Sequence, residues 1–154
     1  MRVYLDNAAT TALDPEVFEA MKPFLLEDFG NPSSTHWHGR KVRAALESAR
    51  KKIAELWHCT PGEIIFTSGG TEADNTLLVS GLHTYGIRHA ISSRLEHHAV
   101  LHTLNHLEKQ EEIKFSMVNT DEKGHIDFKH LESILEKNEN SLVSLMHANN
   151  EIGN

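Results

Sequence analysis

From about residue 60 onward, short apolar runs alternate with helix-length amphipathic stretches, and this alternation constrains the fold more than any other feature of the chain. Residues 63–67 (EIIFT), 90–92, 113–118 and 142–147 read as strands, and residues 71–82, 98–107 and 127–137 read as helices. Turns fall at 68–70 (SGG) and 121–124 (DEKG). Strands separated by a helix join in parallel, because the chain must cross back to the end it started from. The expected architecture is an α/β domain whose mainly parallel sheet is flanked by helices.

Ahead of this region, Asp14 followed by Pro15 reads as an N-cap with proline in the first helical turn, opening an amphipathic helix through Val17, Phe18 and Met21. Pro23 is expected to kink it, and GNPSS to end the segment. From about His36, Val42, Ala45, Leu46, Ala49, Ile53, Leu56 and Trp57 recur at helical spacing, which predicts a long packed helix. A chain of 154 residues with 39% hydrophobic content can bury a sizeable core. Twenty-two acidic against fifteen basic residues give a net charge of -7, which argues against nucleic acid or anionic lipid as a partner. No apolar run approaches the roughly twenty residues of a membrane helix. The lone Cys59 cannot close an intramolecular disulfide and reads as structural, and MRVYLDNAATT has neither secretory nor transit character, so the cytoplasm is the expected compartment.

In an open α/β sheet, ligands collect beyond the carboxyl ends of the strands. Three loops lie there: SGGTEADN, SRLEHHAV and HANNEIG. In the first, Gly69 and Gly70 allow close backbone approach while the following helix offers unpaired N–H groups to an anion such as phosphate. Thr71 reads either as a phosphate ligand or as a cap, with Asp74 returning the bond, and the whole loop reads equally as a tight turn. In the second, His97 and His98 suit stacking on a planar ligand or proton transfer, or simply capping. In the third, the carboxamide of Asn149 or Asn150 could serve a phenolate-like oxygen, or a turn. His98, His102 and His106 also share one helical face at a spacing that can ligate zinc or nickel, but Leu101, Leu104 and Leu107 explain that helix as packing and no cysteine or carboxylate cluster completes a metal site.

The ordered segments YLDNAATT, FGNPSS, EIIFTSGGTEADN, LEHHAVL and MHANNEIG resemble the motif series of the NifS/IscS-type cysteine desulfurases, enzymes of the class V aminotransferase family with the fold-type I PLP-dependent transferase fold. The resemblance runs from Val3 to Gly153. It implies that pyridoxal 5'-phosphate (PLP) is the cofactor, that Gly70 and Thr71 hold its phosphate, that His97 stacks on its ring and serves proton transfer as the catalytic residue, and that Asn150 hydrogen-bonds its ring hydroxyl. It further implies an amino-terminal arm and helix over residues 1–35 and part of the large cofactor-binding domain over 36–154. The activity implied is removal of sulfur from L-cysteine, giving L-alanine and an enzyme persulfide for iron-sulfur cluster assembly or another sulfur-transfer pathway. The expected partners are a second copy of the complete enzyme and a sulfur-acceptor or scaffold protein. Family members are more than twice as long, so the cofactor-anchoring lysine, the ring-nitrogen aspartate and the sulfur-receiving cysteine are expected from a carboxyl-terminal segment or a complementary chain. A noncatalytic assembly module built on the same fold is the alternative.

Overall fold

The computed structural model describes residues 1–153. They fall into two compact units, Met1–Phe66 and a second beginning at Thr67.

In the first unit, helix α1 spans Pro15–Leu26. Asp14 caps it as expected, its Oδ1 accepting from the backbone N–H of Glu16 at 2.7 Å and of Val17 at 3.4 Å. The helix continues through Pro23, and none of its residues is buried. Helix α2 spans Trp37–Leu56, with His36 Nδ1 accepting from Gly39 N–H at 3.3 Å. Gly39 is obligatory, because a Cβ there would stand 2.5 Å from the carbonyl oxygens of both Asn31 and Ser34. The helix expected from sequence is present, but its packed face is not: only Gly39 and Ala54 are buried, while Leu56 is 78% and Trp57 76% exposed.

Residues 64–66 also depart from expectation. A 3-10 turn at Pro61–Glu63 precedes them, and no strand follows. Ile64 N–H donates to Pro61 O, and the Ile64 carbonyl accepts from the Arg50 guanidinium. Extended backbone becomes a strand only when a neighbour completes its hydrogen-bond ladder, and none among the described residues does so.

The second unit contains α3 (Gly70–Thr84), β1 (His89–Ser93), α4 (His98–Lys109), β2 (Lys114–Val118), α5 (Phe128–Leu135) and β3 (Leu142–Val143). The sheet order is β2-β1-β3, and both pairings are parallel. The chain thus crosses from β1 to one neighbour through α4 and back past β1 to the other through α5, which for right-handed crossovers puts the two helices on opposite faces. Ala90, in register with Phe115 and Leu142, packs with Leu78 and Leu82 of α3, with Val100, Leu104 and Leu107 of α4, and with Ile113. Ile91 points away from that cluster and is also fully buried. All five β1 residues are buried, as befits a central parallel strand covered on both faces.

The polar members of β1 are all satisfied. His89 Nδ1 lies 2.7 Å from Ser141 Oγ and its Nε2 lies 2.9 Å from Ser116 Oγ. Ser92 Oγ donates to Ser144 O at 2.8 Å, and Ser93 Oγ accepts from Leu95 N–H at 3.1 Å. The strand expected over 142–147 is only two residues long. Ser144 N–H still reaches Ile91 O, but the Met146 amide is diverted to a side chain, that of Glu96.

Candidate functional site

Because β1 and β3 are adjacent and parallel, the loops that follow them open at the same rim of the sheet. Two straps tie these loops together. Glu96 Oε1 accepts from Met146 N–H at 2.5 Å, and Asn149 Nδ2 donates to Leu95 O at 2.9 Å. Beside the straps lies a hollow of about 180 Å3 whose walls include His97, His98, Leu101, Asn149 and Asn150. His97 and Asn150, singled out separately from the sequence, therefore share one cavity.

His97 is also the N-cap of α4, its Nδ1 accepting from Ala99 N–H at 3.1 Å. The capping reading of this histidine holds, and the cap has a chemical consequence. A lone pair engaged at Nδ1 leaves the ring proton on Nε2, so the free edge of the imidazole is an N–H donor. The two asparagines separate in the same way. Asn149 is fully engaged, with Oδ1 accepting from the N–H groups of Glu151 (2.8 Å) and Ile152 (3.1 Å) and Nδ2 in the strap. Asn150 is exposed and is not drawn into this turn network.

Gly70 and Thr71 form the first turn of α3 and do not line that hollow. Thr71 is not the cap that the sequence suggested, nor does Asp74 return a bond. Gly69 is the N-cap, without any side-chain acceptor, and Ser68 donates from its N–H (2.7 Å) and Oγ (2.6 Å) to Glu72, whose carboxyl is thereby held below its usual range. The turn starts earlier than the sequence suggested, and Glu72 rather than Asp74 lies one turn beyond Ser68. The amides of Gly70, Thr71 and Glu72 are left without intrahelical acceptors, and a Cβ at Gly69 or Gly70 would meet nothing within 4 Å. That open, positively polarised turn can hold a phosphate. Further along the same helix, Thr103 Oγ1 donates to Asn75 Oδ1 at 2.6 Å between α3 and α4, and the charge of Asp74 acts on Glu96.

Sequence reasoning missed Glu96. It is 8% exposed, and burial raises its carboxyl above the ordinary range, the Met146 bond opposing this and Asp74 adding to it. A carboxylate directly before the paired histidines was the only available signal. His98 and His102 stack at 5.2 Å, but among the described residues no group of three or more His, Cys, Asp or Glu is placed to hold a metal ion. No described helix is long and apolar enough to cross a membrane.

Residues 3–154 match the family described as Aminotransferase class-V. The chain is 51% identical over 154 residues to the cysteine desulfurase IscS of Dictyoglomus turgidum, covering 98% of this chain and 38% of that protein. It is 48% identical to a cysteine desulfurase of Cereibacter sphaeroides, covering 99% and 40%. Among solved structures, a NifS-like protein superposes with a TM-score of 0.91 at 40% identity, covering 98% of this chain and 42% of that one. A structure described as SspA in complex with cysteine superposes at 0.85 with 34% identity, covering 96% and 43%. The chain thus spans about two fifths of the length of these relatives, and it belongs to the class-V aminotransferase family.

Proposed function

We propose that this chain supplies the amino-terminal part of a PLP site in a cysteine desulfurase, which takes sulfur from L-cysteine and leaves L-alanine. The observation that carries the reading is the shared hollow, where a donor imidazole and an uncommitted carboxamide stand on loops strapped together at one rim. The identity to named desulfurases and the cysteine-bound neighbour support the substrate.

In this reading the amides at the start of α3 and the Thr71 hydroxyl receive the phosphate, with Gly69 and Gly70 keeping the approach clear. The His97 ring lies against the cofactor plane and presents Nε2–H as a proton donor, because its other nitrogen is spent on the α4 cap. The Asn150 carboxamide donates to the ring oxygen, and Asn149 fixes the turn from which it projects. PLP, when bound, is an electron sink for the charge left by the departing substrate proton. Residues 1–35 serve as an arm and 36–154 as part of the large cofactor-binding domain. The anchoring lysine and sulfur-receiving cysteine come from a further segment or chain, the assembled enzyme is a homodimer, and an acceptor or scaffold protein takes the sulfur.

The test is a PLP titration of the native protein, followed by its absorption and by the change on adding L-cysteine. Thr71→Val is expected to weaken PLP retention by about tenfold, the worth of one hydrogen bond to a charged group. Unchanged affinity would remove the hydroxyl from the phosphate site, and no PLP uptake by the native protein would overturn the reading as a whole.

A further inference from the structure

Glu96 lies in a loop, yet it is almost fully buried, and holding the cofactor requires nothing of its carboxylate. Buried carboxylates are costly unless their oxygens are engaged. Here one oxygen accepts the Met146 amide, and the neighbouring Ser93 side chain also favours the charged form. Glu96 immediately precedes His97, and Met146 stands four residues before Asn150. Leu95, Glu96, Met146 and Asn149 form a wall common to the His97–Asn150 hollow and to a second hollow of about 360 Å3 on its other side. β1 and β3 run out of ladder bonds at Ser144, so without the Glu96 bond only the single Asn149–Leu95 bond would hold the two loops at their spacing.

We propose that Glu96 is a positioning residue: its bond to the Met146 amide sets the gap across which His97 and Asn150 face one ligand. The inference rests on the PLP reading for the identity of that ligand, but the strap itself does not. Asn149 to Leu95 is the second member of the pair, and it engages the backbone residue just before Glu96. A Gln at this position keeps an acceptor for the Met146 amide and removes only the charge, whereas Ala removes the acceptor.

The test combines amide hydrogen exchange with PLP titration on the native protein and on three variants. Glu96→Ala should speed exchange in residues 94–99 and 146–151 together by roughly tenfold or more, and weaken PLP binding by a similar factor. Glu96→Gln should keep both within about twofold of the native protein. Ser92→Ala, which deletes a bond to Ser144 O between the same two strands, should lower the denaturation midpoint without changing PLP affinity. Native PLP affinity in Glu96→Ala, or an equal affinity loss in Ser92→Ala, would reduce Glu96 to a stabilising residue and overturn the proposal. Absence of PLP uptake by the native protein would fail the cofactor reading instead, and the exchange comparison would then decide the strap alone, for it if both segments loosen and against it if either does not.

Discussion

His89 is the residue whose chemistry most clearly couples stability to pH. Ser141 Oγ donates to Asn138 O, so His89 donates Nδ1–H to Ser141 and accepts at Nε2 from Ser116, which defines a neutral ring. Burial, and then the charge of Lys114, hold its pKa below the ordinary 6.5. Above that value both folded and unfolded chains carry a neutral ring, and His89 contributes nothing to the pH dependence. As pH falls through 6.5 the unfolded chain takes up a proton that the folded chain still refuses, so stability drops until the lower folded value is passed. Glu96 acts with the opposite sign: its folded value is raised, and stability is lost as pH rises from 4.5 through that value. Denaturant midpoints at about pH 7.5 and about pH 5.5 bracket the pH at which the unfolded histidine takes up its proton, and comparison with His89→Gln separates its share from that of Glu96. The native protein should lose more stability on acidification than His89→Gln does, and equal losses would show that the ring is not the responsible group.

At the scale of elements, what the sequence makes legible is what local chemistry decides. The Asp14 cap, the glycine turn before α3 and the presence of α4 follow from residues a few positions apart. His97 and Asn150 were readable as loop residues at strand ends, but their juxtaposition needed the β1-β3 pairing across about fifty intervening positions. Glu96 was illegible for the same reason, since its partner lies on the other loop. The strand reading of 63–67 failed because apolar runs report burial preference and not the presence of a ladder neighbour. In α4, periodicity marked Leu101, Leu104 and Leu107, but the helix buries Val100, Leu104 and Leu107 and turns Leu101 toward the hollow. Leu104 is the hinge of that packing, at 0% exposure between α3 and the sheet. Leu104→Ala should cost about 2–5 kcal/mol, read as a lower denaturant midpoint, while Leu101→Ala should cost less than about 1 kcal/mol. Similar costs at the two positions would mean that the α3–α4 seam is not where the core is concentrated.

Across the whole molecule, burial is unevenly shared between the two units. The unit from Thr67 onward holds a contiguous core, whereas the unit ending at Phe66 buries only Gly39 and Ala54. On α1, Phe18, Met21 and Leu25 recur at i, i+3 and i+7 as an apolar face, and they are 44%, 43% and 62% exposed. A helix of 12 residues is marginal in water without tertiary packing, whatever the quality of its cap. Apolar surface is what normally supplies that packing, at roughly 25 cal/mol per Å2 buried, and α1 leaves most of its share in water. Local opening should therefore be easy in α1 and hard in β1, in a polypeptide of these 154 residues. Hydrogen exchange in that polypeptide should show residues 15–26 protected at least about tenfold less than residues 89–93 and 100–107. Adding the Asp14→Ala change should abolish what protection α1 retains, because the cap is worth about 1 kcal/mol and little else holds the helix. Equal protection of α1 and β1 at low concentration would refute the assignment. Protection that rises with protein concentration would instead show that a second copy covers the Phe18–Met21 face, since only association changes with dilution.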